Sequence, residues 1–122
     1  DGAGFTDQET VTLSFPDVSV QSAVRVLRGQ LLLPAQQIFD ALKVPYMIYP
    51  KGSILEGFAN GKHFIFHLDK RVMYLGGQKL RLYNAPFQES EQFYISLKAA
   101  AEIFGYTYGT EPENNLIKFQ MR

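Results

Sequence analysis

The chain has 122 residues, enough for one domain with its own hydrophobic core, and 46% of them are apolar, which places it with folded rather than disordered chains. Lys+Arg and Asp+Glu both number 12, so there is no net positive field to attract nucleic acid and no polybasic run for an anionic membrane. Cysteine is absent, which removes disulfides, a thiol nucleophile and thiolate metal sites together. No apolar run approaches the length of a membrane-spanning helix, so membrane insertion is not expected. The first residue is Asp1 rather than Met, and the expectation is a processed piece whose export signal would lie upstream.

In chain order, Asp1 to Glu9 read as a loose polar start. Thr10 to Phe15 alternates with Val11, Leu13 and Phe15 on one face, the period-2 pattern of a half-buried strand, and Pro16-Asp17 ends it. Val18 to Leu27 is β-prone but interrupted and reads as extended. Arg28-Gly29-Gln30 turns into the apolar run Leu31-Leu32-Leu33. A helix follows to about Lys43, stopped by Pro45. Tyr46 to Tyr49, Ile54 to Ala59, Lys62 to Leu68, Val72 to Leu75 and Gln78 to Tyr83 are strand candidates, separated by the turn residues Pro50 to Ser53, Asn60-Gly61, Asp69 to Arg71 and Gly76-Gly77. Asn60-Gly61 is the strongest hairpin signal, because both central positions of a type I′ turn need φ > 0. After Asn84-Ala85-Pro86, residues Phe87 to Gln92 read as a polar link into a second helix that stops at Gly105. Tyr106 to Tyr108 and Leu116 to Met121 close the chain as strands around an acidic turn. Leu116 to Met121 is a candidate edge strand for pairing between copies.

One segment occurs twice. Leu33 to Lys43 aligns without a gap on Ile95 to Gly105, and Ala35, Ile38, Phe39 and Leu42 fall on Leu97, Ala100, Ala101 and Phe104. Each set has the i, i+3, i+4, i+7 spacing of one buried helical stripe. Pro34 at the first helical turn and Ser96 as an N-cap mark the two starts. Two-residue hairpins join only antiparallel neighbours. The prediction is therefore a two-layer α+β fold: an antiparallel sheet of short hairpins with two short helices packed on it, as an internal pseudo-repeat. It forms one domain over residues 1–122, with 1–27 as an extended N-terminal segment and 28–122 as a core of two helix–strand half-units.

The order of these pieces resembles the family named after the N-terminal domain of copper amine oxidases. The residues that carry the resemblance are Leu31-Leu-Leu-Pro-Ala35, Asn60-Gly-Lys62, Tyr74-Leu-Gly-Gly-Gln78, Leu82-Tyr-Asn-Ala-Pro86 and Tyr94 to Gly105, spanning Arg28 to Phe119. The chain departs from the family pattern where Leu33-Pro34-Ala35-Gln36 and Ile95-Ser96-Leu97-Lys98 replace Val-Pro-Leu-Arg, and where Lys43 replaces a Gly. The resemblance implies an α+β module found in exported or surface proteins of Gram-positive bacteria, acting as a stalk or interaction domain rather than as the oxidase.

The residues supply little catalytic apparatus. An amine oxidase needs three His ligands and a Tyr in an Asn-Tyr context; this chain has two His and no Asn-Tyr dipeptide. His63 and His67 have the i, i+4 spacing of a helical zinc pair, but they lie in an alternating strand pattern, where about 13 Å separates them. They read as sheet histidines on one face with Ile65, opposite Phe64 and Phe66. The carboxylates Glu56, Asp69, Glu89, Glu91, Glu102, Glu111 and Glu113 all fall at turns or solvent faces by pattern. The sequence therefore assigns no catalytic residue, no metal and no cofactor. Its surplus is aromatic: seven Tyr and ten Phe. Tyr106 and Tyr108 share a strand face, and Tyr46 occupies the repeat position equivalent to Tyr108, so these three are the candidate ligand-binding residues. The expected function is a non-catalytic interaction or stalk module at the cell exterior or surface, holding a protein partner or a cell-wall polysaccharide and sharing its chain with other modules. The alternative is a carbohydrate-binding domain that uses surface tyrosines, and third comes a small Asp/Glu-dependent hydrolase.

Overall fold

The computed structural model describes residues 4–49, 51 and 53–122, and these form thirteen strands and two α-helices in an α+β arrangement. The expected Pro50 to Ser53 turn lies partly outside the described residues. The strands divide among three sheets. In the first, β1 (Thr10–Ser14) lies between β2 (Ser19–Ala23) and β13 (Leu116–Met121), and β12 (Tyr106–Glu111) pairs on the far side of β13. The second has the order β10 (Phe87–Glu89), β11 (Gln92–Ser96), β4 (Gln30–Pro34), β3 (Arg25–Leu27). The third is a meander of β5 (Tyr46–Ile48), β6 (Ile54–Ala59), β7 (Lys62–His67), β8 (Val72–Leu75) and β9 (Gln78–Arg81). The helices are α1 (Ala35–Leu42) and α2 (Leu97–Phe104). Every pairing is antiparallel except β1 with β13, which run parallel with Leu13 beside Ile117. That pair joins the two ends of the chain, so a long connection separates its strands, as parallel pairing requires.

Local chemistry explains the hairpins. Asn60-Gly61, Gly76-Gly77 and Arg28-Gly29 all place both central residues at positive φ, the type I′ geometry that follows strand twist. Ser90-Glu91 does the same, at φ 51° and 64°, with neither Gly nor Asn present. The segment Phe87 to Gln92, expected as a polar link, is therefore the β10–β11 hairpin. Tertiary contacts offset the left-handed cost at this turn. The Phe87 and Tyr94 rings stack at 5.1 Å across the hairpin, and Gln36 on α1 donates from Nε2 to the Glu91 carbonyl at 3.1 Å.

The helix ends follow their sequence signals with one shift. Ser96 caps α2, its Oγ accepting from the Ala99 N–H at 3.1 Å. Pro34 is not the first helical residue of α1 but its N-cap, with φ −72° and ψ 110°, so β4 runs directly into the helix. Both helices end on a left-handed residue, Lys43 at φ 58° and Gly105 at φ 71°. At the end of α1 the Lys43 N–H donates to the Asp40 carbonyl and the Val44 N–H to the Phe39 carbonyl, a Schellman motif.

The repeat is a symmetry of the fold. In the antiparallel β4–β11 pair, Leu33 lies directly opposite Ile95, the residue that the sequence alignment makes its equivalent, and Pro34 and Leu32 flank it opposite Tyr94 and Ser96. A local pseudo-twofold axis thus passes between Leu33 and Ile95, both fully buried. The stripes Ala35, Ile38, Phe39 and Leu97, Ala100, Ala101, Phe104 enter one common core, with Leu42 packed at its margin. Phe39 is the hub, 6.0 Å from Phe104, 5.3 Å from Phe64 on the third sheet and 5.5 Å from Tyr46.

Two further expectations are corrected. The described part of the start is anchored: Phe5 is buried, and the Gln8 N–H donates to the Val24 carbonyl at 2.8 Å. Asp7 Oδ1 accepts from Arg25 Nε at 2.9 Å and from the Val26 N–H at 2.8 Å. Arg25 also pairs with Glu89 and lies over the Phe87 ring at 5.6 Å, so residues far apart in sequence converge on one guanidinium. The second correction concerns β13, which is not an edge strand, because β1 and β12 occupy its two sides.

Candidate interaction surface

The structure brings Tyr106 and Tyr108 together and leaves Tyr46 apart. Tyr106 and Tyr108 project to the same side of β12 and lean on Phe119, with ring centroids 6.2 and 6.3 Å away. Tyr106 also touches Phe15 and Phe104. Tyr46 lies on a different sheet with its ring against Phe39. All three are half-buried. Burial raises the pKa of the Tyr106 phenol, with the Asp17 carboxylate adding to it, and raises that of Tyr46, beside Asp40.

The histidines lie where strand alternation places them. Phe64 and Phe66 enter the core while His63, Ile65 and His67 face outward. His63 Nε2 meets Glu56 Oε2 at 2.6 Å, and the His67 ring stands edge-on to Tyr74 at 6.3 Å. Glu89 pairs with Arg25, and Glu102 lies 3.6 Å from Arg122. Among the described residues no three His, Asp or Glu side chains come together as a metal site would need.

The outer face of the third sheet emerges from the pairing register. Met47, Glu56, Ile65, Tyr74 and Lys79 form one row across all five strands. Beside it, Phe58 faces His63, Ile54 faces His67, and Val72 faces Arg81. Met47 is 57% exposed and Phe58 51%, large apolar side chains held in water by a rigid strand frame. The opposite face carries Leu55, Phe64, Phe66, Met73 and Leu75 into the core, so the sheet cannot turn this apolar face inward. Sequence reasoning missed these positions because β5 and β8 carry no charged or strongly polar side chain on either face. In Tyr46-Met47-Ile48-Tyr49 and Val72-Met73-Tyr74-Leu75 no polar residue marks the solvent side. Continuous apolar runs at strand length were the available signal.

Searches among curated proteins and among solved structures return no match. The model of the copper amine oxidase N-terminal domain family matches residues 10–119, which takes in β1 and β2 as well as the repeated half-units. That family is a non-catalytic module of copper amine oxidases. A copper centre does not fit the residues here: one of the two histidines is engaged by Glu56, the other rests against Tyr74, and no third ligand joins them among the described residues. Since the match covers nearly all of the chain, and includes the hairpins and both capped helices described above, the protein belongs to the copper amine oxidase N-terminal domain family.

Proposed function

We propose that the chain is a non-catalytic interaction module of an exported or cell-surface bacterial protein, and that it holds a protein partner on the outer face of its third sheet. The observation that carries this reading is the alignment of Met47, Phe58 and Tyr74 with Ile65 on one face of a five-stranded frame. An open, partly apolar sheet surface is suited to a folded protein rather than a small molecule. Charge adds a direction. Lys79 and Arg81 rim the face along β9, while Glu56 is matched by His63. The partner surface therefore carries apolar residues at its centre and acidic residues on the side that meets β9. The exported placement rests on the family resemblance, and protease digestion of intact cells tests it: the module should be cleaved without lysis.

The binding reading is tested with Met47→Asp and Phe58→Asp combined. Both side chains are exposed, so the variant should melt like the wild type. Wild-type protein immobilised beside its native cell extract should retain one partner stoichiometrically. Titration should then give a Kd in the range of roughly 10 µM or tighter, weakened at least about tenfold by the double substitution. Retention of the same proteins by both forms would overturn the reading.

A further inference from the structure

A groove of about 960 Å³ runs between the free edge strand β9 and α2. Arg71, Lys79 and Arg81 line it from the meander, and Lys98 and Glu102 from α2. In a chain whose charges balance at 12 and 12, four cations meet one carboxylate here. That carboxylate already faces Arg122, 3.6 Å away. Among the described residues Arg71, Lys79, Arg81 and Lys98 form no ion pair and no side-chain hydrogen bond.

Part of this has a plain structural explanation. Lys79 and Arg81 alternate on an edge strand, where charge discourages pairing with other chains. Arg71 and Lys98 lie off that strand, and the pseudo-twofold supplies a contrast for Lys98. Its equivalent in the first half-unit is Gln36, which is held by the β10–β11 hairpin: Nε2 donates to the Glu91 carbonyl at 3.1 Å, and Oε1 accepts from the Phe93 N–H at 2.7 Å. Lysine has no acceptor and cannot make the second bond. The amide at this helix position is therefore tied to a hairpin in one half-unit, and the lysine at the same position in the other faces the groove.

The remaining lining narrows the ligand. Tyr83 is 62% exposed and offers a flat ring beside the cations, and Leu80 and Leu82 provide apolar surface. Asn84, 3% exposed, fixes this wall by donating to the Leu27 carbonyl at 3.1 Å. Arginine clasps phosphate or carboxylate with two parallel hydrogen bonds, lysine adds a mobile point charge, and a tyrosine ring packs against a sugar face. A groove of this size exceeds what one inorganic anion needs. From these features we infer that the groove between β9 and α2 binds an acidic glycan, a sugar chain that bears phosphate or carboxylate groups. An acidic peptide would satisfy the cations too, but it would use the open edge of β9 and leave the Tyr83 ring without a role.

The test titrates the full chain with a polygalacturonate oligomer, a phosphorylated mannan, neutral dextran and a poly-glutamate peptide of matched charge. Both acidic glycans, or whichever of them carries the right anion, should bind and weaken as salt rises, and dextran should not bind. The difference between the two identifies phosphate or carboxylate as the recognised group. Lys98→Gln, which installs the residue of the equivalent position in the first half-unit, and Arg71→Gln should each weaken binding by about tenfold. Tyr83→Ser should weaken the glycans and not the peptide. Met47→Asp with Phe58→Asp should leave glycan binding unchanged, because the groove shares with the protein-binding face only its rim on β9, Lys79 and Arg81. Binding of neither acidic glycan, equal binding of dextran, indifference to Lys98→Gln, or tighter binding of poly-glutamate than of either glycan would overturn the inference.

Discussion

Lys43 and Gly105 occupy the same left-handed position at the ends of the two helices, and only Gly105 is suited to it. A side chain at positive φ costs about 1–2 kcal/mol, whereas Gly there loses some of that gain through its freer unfolded chain. Lys43→Gly should therefore stabilise the protein by roughly 0.5–1 kcal/mol in urea unfolding. Gly105→Ala should destabilise it by about 1–2 kcal/mol, because the new Cβ would also lie 2.5 Å from Asn60 Nδ2 and push that amide aside. An unchanged midpoint for both would mean that left-handed strain at the caps does not contribute to stability. Asp7 makes a pH-dependent contribution. Its bond to the Arg25 guanidinium, then to the Val26 N–H, holds its carboxyl below the usual value of 3.8. A lowered folded pKa gives stability that is present above the unfolded value and lost as pH falls through the folded one. The melting-temperature gap between wild type and Asp7→Asn should therefore be constant near neutrality and close as pH drops below about 3.8. Sequence pattern could not find this ion pair, since Asp7 precedes β1 while Arg25 and Glu89 lie on the two edge strands of the second sheet, and the three meet only in the assembled fold.

At the scale of elements, local rules fixed what local chemistry controls. Asn60-Gly61 and Gly76-Gly77 carry their turn geometry in their own residues, so both hairpins were readable. Ser90-Glu91 adopts the same geometry through Gln36 and the Phe87–Tyr94 stack, neither of which is local to the turn, so the hairpin looked like a link. The helical stripes were readable because i, i+3, i+4, i+7 spacing survives any tertiary arrangement. Their unequal bulk predicts unequal importance. Phe39, fully buried against Tyr46, Phe64 and Phe104, joins α1 to both α2 and the third sheet. Phe39→Ala should cost about 3–5 kcal/mol in urea unfolding. The equivalent position in α2 is already Ala101, so Ala101→Gly removes one methyl and costs about 1 kcal/mol, mostly through helix propensity. Equal losses at the two sites would mean that the symmetry extends to the packing.

For the whole molecule, the first and last strands decide how the fold closes. The sequence places β1 and β13 as strands but cannot pair them, because a parallel contact between distant segments leaves no local trace. The same blindness made β13 look like a free edge, and it left the open face of the third sheet unmarked. Val11, Leu13 and Phe15 belong to the common core, and Phe15 stacks on Phe119 at 4.5 Å with the rings nearly parallel. Removing residues 1–23 would strip one side of β13, expose Ile117 and Phe119, and free the parallel register of Leu13 with Ile117. Each large apolar side chain returned to water costs about 1.5–3 kcal/mol, and several are lost or exposed at once. That total is comparable with the whole stability of a domain of this size, roughly 5–15 kcal/mol. The truncated chain 24–122 should therefore lose cooperative thermal unfolding and bind a hydrophobic dye, even though both half-units of the repeat remain in it. Adding a synthetic peptide of residues 4–23 should restore the transition, as β1 and β2 return to the edge of β13. A truncated chain that melts cooperatively without the peptide would show that the repeated half-units form a self-sufficient core, with the first sheet an accessory to it.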